Sequence, residues 1–138
     1  MDKALNYLAL ARKAGRIELS EEPCGAAARA VHARLIVVAA DASAHTWRRA
    51  KSFAAGTEQQ CIRVKFTKEE MGFVVGRTSL AIAAITDPAM ALALVNALGE
   101  PEKYKAAAEV LAAKAEKLKK RRAESKAHQR NVRFGKKK

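Results

Sequence analysis

The residues best suited to metal binding or nucleophilic chemistry are His32, His45 and His128, with the thiols Cys24 and Cys61. They are scattered, with none of the spacings that zinc or redox sites need to converge their ligands. Glu21 and Glu22 are adjacent, so a helix turns them in different directions instead of pairing them as acid and base. Asp41 and His45 stand about one helical turn apart and read as a cap and a surface residue. Gly72 and Gly76 read as close packing and a helix stop. No phosphate-loop or dinucleotide fingerprint occurs. The sequence is therefore read as having no catalytic residues, no metal site and no cofactor.

Charge is the stronger signal. The chain has 27 Lys and Arg against 14 Asp and Glu, a net charge of +13 over 138 residues. Residues 1–100 hold 13 basic against 10 acidic side chains, a net of +3, whereas 101–138 hold 14 against 4, a net of +10. A tail so charged repels itself and gains by displacing counterions from phosphates, which supplies affinity without sequence choice. Lys119, Lys120, Arg121 and Arg122 are its densest run and the candidates for nonspecific phosphate binding. With only seven aromatic residues, none interleaved with basic ones along a strand, a base-stacking platform is disfavoured. A folded RNA would have to be read by its shape.

Alternating elements must position these groups. Asp2 to Ala14 reads as a helix closed by Gly15, and Ile17 to Leu19 as a short strand. Glu21 to about His32 reads as a helix that Ser20 could cap, with Glu21 and Glu22 in its first turn. "RLIVVAA" is a buried strand, and the helix in "DASAHTWRRAKSFAAG" starts on Asp41 or Ser43 and stops at Gly56. "CIRVKF" alternates Ile62, Val64 and Phe66 with Arg63 and Lys65, as a half-buried strand does. Thr67 and Glu70 form a capping box, "LAIAAI" is another buried strand, and Asp87 with Pro88 opens a helix that ends at Gly99. Helices alternating with four strands predict an α/β domain with helices on both sheet faces.

Beyond Pro101, Tyr104, Ala108, Leu111, Ala115 and Leu118 trace the stripe of an amphipathic helix. The last dozen or so residues are expected to stay disordered until a polyanion orders them. Two regions result: a domain over 1–99 and a basic helical extension with a disordered tail over 100–138. The two isolated thiols read as core residues in a reducing compartment. The opening residues form neither a membrane span nor a signal peptide, so a cytoplasmic location is expected.

The runs "LALARKAGRIELSEE", "ARLIVVAADAS", "VKFTKEEMGFVVGR" and "LAIAAITDPAMALAL", in that order over about residues 3–98, resemble the kink-turn RNA-binding ribosomal-protein family. That family includes the archaeal "L-seven-Ae" and eukaryotic "L-thirty-e" proteins, and the similarity leans towards its small bacterial members. The resemblance implies a three-layer α/β/α sandwich with a mixed four-stranded sheet. It also implies binding to bent RNA through the start of the second helix. Carried over by position, that helix start falls on Ser20, Glu21, Glu22, Pro23 and Ala26. The family usually has Gly where Ser20 stands and a cation where Ala26 stands. Arg29, three residues on, is expected to replace part of that charge. Lys68 matches the family's basic position after a strand, and Arg77, Thr78 and Ser79 match its last RNA-facing loop. Ser43 stands where some relatives carry an acidic base contact.

The reading is thus a non-catalytic, monomeric, cytoplasmic protein that binds structured RNA, ribosomal or otherwise. One competitor is a protein-interaction scaffold on the same fold that has lost kink-turn reading. Another is an accessory RNA-recognition domain serving a modification enzyme on a separate chain.

Overall fold

The computed structural model describes residues 2–133, and for 129–133 the backbone alone. The helices are α1 (Lys3–Lys13), α2 (Glu21–Arg29), α3 (Ala44–Ala54), α4 (Lys68–Val74), α5 (Pro88–Ala97) and α6 (Lys105–Arg133). The strands are β1 (Ile17–Leu19), β2 (Leu35–Val38), β3 (Gln60–Arg63) and β4 (Ile82–Ile85). Local chemistry explains most helix starts. Asp2 accepts from the Ala4 amide at 2.8 Å, and Asp87 from that of Met90 at 2.9 Å. Ser43 accepts from Thr46, and the Thr67–Glu70 capping box is complete in both directions. Each satisfies an amide that the helix cannot bond internally.

The sheet order is β1-β4-β2-β3, with β2 and β3 parallel and β4 antiparallel to both β1 and β2. Every residue of β2 and β4 is buried, as a sheet covered on both faces requires. Alternate residues feed two cores. Leu35, Val37, Ala83 and Ile85 pack with α1, α4, α5 and the start of α6, while Ile36, Val38, Ile82 and Ala84 pack with α2 and α3. This is the expected three-layer α/β/α sandwich with its mixed four-stranded sheet.

Strand direction divides the molecule into two poles. The C-terminal ends of β1, β2 and β3 and the N-terminal end of β4 share one pole, from which the chain enters α2, α3 and α4. The far pole carries the C-termini of α1 and α2 and the turn into α5.

Several boundaries are corrected. α2 ends at Arg29 rather than near His32, because Val31 adopts φ +58° and turns the chain back. The amides of Val31 and His32 bond to the carbonyls of Ala28 and Ala27, a helix-ending turn usually built on glycine. β3 stops at Arg63, yet Ile62, Val64 and Phe66 are buried as their alternation predicted. Tyr104, just ahead of α6, and Ala107 and Leu111 within it are buried against the larger core, and α6 stays helical through Arg133. Helix therefore replaces the expected disorder over 127–133; residues 134–138 lie outside the described residues.

Candidate nucleic-acid interface

The shared pole gathers the expected contact residues from separate parts of the chain, except Arg29, which closes α2 at the far pole. Ser20 stands at the end of β1, Ser43 after β2, Lys68 after β3, and Arg77, Thr78 and Ser79 just before β4. The link between the first and last of these is direct: Arg77 Nη1 donates to Ser20 Oγ at 2.9 Å. That bond corrects the expected cap, since Ser20 precedes α2 without capping it. Its φ of 79° and ψ of 164° lie in a region used almost entirely by glycine. The glycine that the resembled family carries at this position fits that backbone. Cys24 donates its amide to the Ser20 carbonyl, and Pro23 has no amide. Glu21 and Glu22 thus offer the two leading amides of α2, which take no side-chain cap.

The loop is held by a close approach. A Cβ built on Gly72 would lie 2.7 Å from the Ser79 Cα and 2.9 Å from the Arg77 carbonyl oxygen, so α4 admits the loop only as glycine. Gly76 at φ +78° then ends the helix, and the Arg77 amide bonds to the Gly72 carbonyl at 2.8 Å. The sequence reading of both glycines, as close packing and helix stop, matches this geometry. Arg77, Thr78 and Ser79 are exposed.

Lys68 is half-buried, and its backbone is fixed twice. Asp41 Oδ1 accepts from the Lys68 amide at 2.7 Å, and the Lys68 carbonyl accepts from the Leu80 amide at 2.9 Å. Asp41 therefore serves α4 and leaves the capping of α3 to Ser43. The sequence held a clue, because "DAS" offers two cap residues for one helix start and frees one for another client. His45 is an exposed residue on α3, as expected.

Glu21 turns towards α3, whereas Arg29 is exposed at the last position of α2. Glu21 Oε1 lies 3.4 Å from Arg49 Nε but is not aligned for a hydrogen bond, so the pair is Coulombic and weak at these exposures. Arg49 also stacks 5.2 Å from the centroid of the Phe53 ring. Arg29 Nη1 would lie 3.4 Å from a Cβ built on Gly25, which would also meet the Phe53 ring. Glu22 is the exposed carboxylate of the pair. Acids offset the bases at this pole: Glu21, Glu22, Asp41 and, in the first turn of α4, Glu69 and Glu70 stand beside Arg49, Lys68 and Arg77.

Arg49 and Gln59 escaped the sequence reading. Gln59 Oε1 accepts from the Ala33 amide at 3.0 Å, and its Nε2 donates to the Ala28 carbonyl at 3.2 Å. It ties the end of α2 to the start of β3, across a distance that leaves no local signature. Lys119, Lys120, Arg121 and Arg122 lie exposed on α6, far along a helix that leaves this pole.

Among the described residues, no group of three or more potential ligands could hold a metal ion, and no helix is long and apolar enough to cross a membrane. Cys24 is buried and Cys61 half-buried, and neither forms a disulfide.

No family model matches the chain, and no curated protein does. Solved structures share its fold. A protein of unknown function from Bacillus halodurans is 20% identical, with a TM-score of 0.67, over 72% of this chain and 100% of its own. The 15.5kD RNA binding protein of Giardia lamblia is 16% identical, with a TM-score of 0.60, over 72% of this chain and 84% of its own.

Proposed function

We propose that this protein is a non-catalytic RNA-binding protein of the kink-turn kind, acting as a cytoplasmic monomer on ribosomal or other structured RNA. The observation that carries the reading is the convergence of the α2 start, Lys68 and the Arg77–Ser79 loop at one pole, locked by the Arg77–Ser20 bond. The fold shared with an RNA binding protein from Giardia lamblia supports it.

The chemistry follows from RNA geometry. The major groove of a regular A-form helix is too narrow for side chains, whereas a kink widens it enough to admit a helix tip. Glu21 and Glu22 offer backbone amides there, and the exposed Glu22 carboxylate accepts from a guanine edge. Lys68 and Arg77 contact phosphates on either side of the opening. A pole whose cations are offset by acids gains little from bulk attraction, so contour decides what it binds.

A scaffold function is the second reading, favoured by Phe73, which is 77% exposed on α4 beside Leu5, Phe66 and Val74. Two measurements separate the readings. Binding to a kinked stem should exceed binding to a straight stem of equal length, and Arg77→Ala should reduce the preference. Recovery of the same protein partners with and without nuclease, with no enriched RNA on sequencing, would instead establish the scaffold.

A further inference from the structure

A cluster of basic residues sits at the pole away from the proposed RNA-reading tip. Tyr104 Oη donates to the Arg63 carbonyl at 3.0 Å, which fixes the start of α6 beside the tip end of β3. Lys114 Nζ reaches Glu58 at 2.6 Å, ahead of the opposite end of β3. The Lys114 hydrogen bond holds the Glu58 carboxyl below its ordinary range. Further along, Arg122 approaches Asp87 at 3.9 Å, where β4 passes into α5. α6 therefore runs from the tip to the far pole and delivers Lys119, Lys120 and Arg121 there.

Basic residues of the domain lie at the same pole. Arg12 and Lys13 close α1 at this pole. Arg16, His32 and Arg34 line a groove of about 670 Å³ along the outer side of α2 and β1. Arg34 also lines a smaller recess with Lys114 of α6 and its partner Glu58, so the groove and α6 adjoin. The opposite end of the groove is lined by Pro23, one turn from the tip, and its wall between is made of Ala26, Ala27 and Ala30. Small side chains there let a polymer backbone approach closely. Glu18 is the one acid lining it.

We propose that this groove carries the phosphate backbone of an RNA stem leaving the tip, and that it ends in a second, sequence-independent binding surface made of Arg16, His32, Arg34 and the basic part of α6. The proposal rests on the RNA-binding reading of the tip and extends it to the length of RNA engaged. One feature selects RNA over an acidic protein: the groove begins where the tip would release a stem and leads to the cations at the far pole. The four-residue strands alone separate the poles by about 13 Å. That exceeds the Debye length of about 8 Å at physiological ionic strength, so the two surfaces act as separate electrostatic sites.

The test titrates the full chain and its Arg16→Gln/Arg34→Gln variant with two kinked RNAs, one with stems too short to leave the tip and one with a stem lengthened by a helical turn. The parent should bind the longer RNA more tightly. The variant should bind the short RNA unchanged, which also reports that it is folded. It should lose about tenfold on the long one, with a salt slope shallower by roughly two. Equal affinity of the parent for both RNAs, or a variant indistinguishable on the long RNA, would overturn the groove while leaving the tip intact. Failure of the parent to bind either RNA would remove both. Polyglutamate that displaces the long RNA's added stem more effectively than an RNA of equal charge would reassign the surface to an acidic protein and overturn the proposal.

Discussion

Arg77 and Ser20, 57 positions apart, are joined by a 2.9 Å hydrogen bond from the guanidinium to the serine hydroxyl. The bond spans the loop before β4 and the entrance to α2, the two parts of the tip that no single element holds together. It also occupies the hydroxyl that would otherwise cap α2, while the serine backbone stays in a glycine-like conformation.

Comparing Ser20→Gly with Ser20→Ala isolates that backbone strain, because both variants lose the bond to Arg77. Glycine relieves the conformation and alanine does not. Ser20→Gly should be more stable than Ser20→Ala by about 1 kcal/mol or more, read from the urea midpoint. Equal midpoints would show that the strain is absent.

Gly72→Ala should lower stability by about 1–3 kcal/mol, since the added methyl meets the Ser79 backbone and not a movable side-chain end. The same variant should weaken RNA binding at temperatures where it remains folded, because the loop bearing Arg77 must shift. Wild-type affinity in a destabilised but folded variant would separate the loop's position from recognition.

Val31 is β-branched, 53% exposed and held at φ +58°. Left-handed backbone costs such a residue about 1–2 kcal/mol, partly offset by the entropy that a glycine loses on folding. Val31→Gly should therefore raise the thermal midpoint modestly. A lower midpoint would mean that the valine side chain contributes more contact than its exposure implies.

Burial, with lesser effects of Glu18 and Glu21, pushes the Cys24 thiol up to about 12; burial pushes Cys61 up to about 11 despite Lys51. The thiolate is the reactive form, and a pKa near 12 leaves about one part in 10⁴ ionised at pH 8. Alkylation of Cys24 should accordingly be far slower in the native protein than in urea, with Cys61 intermediate. These raised values add stability that is fully present below pH 9 and is lost as pH rises through 11 to 12. Rapid native labelling of Cys24 would contradict its burial.

How much was legible in advance varies with the range of the interaction. Asp2, Asp87 and the Thr67–Glu70 pair could be read directly, because a cap joins residues two or three positions apart. The two-faced strands were equally visible in "LIVV" and "IAAI", where unbroken apolar runs leave no solvent face. The candidate tip was located chiefly through family resemblance, and its residues other than Arg29 lie at one pole. Their partners could not be read. Asp41 serves α4 across 27 positions, and Glu21 meets Arg49, because packing between elements decided both.

By itself, the sequence settled the inventory: which segments are helix or strand, where most helices begin, which faces are apolar, and that the excess charge lies in the last third. Those properties depend on neighbours within a turn or a strand. Tertiary structure alone decided the strand order, the glycine-like backbone of Ser20, its bond to Arg77 and the delivery of the α6 charges away from the tip. Each is fixed by burying two sheet faces at once, a constraint that acts between segments distant along the chain and leaves little mark on any one of them.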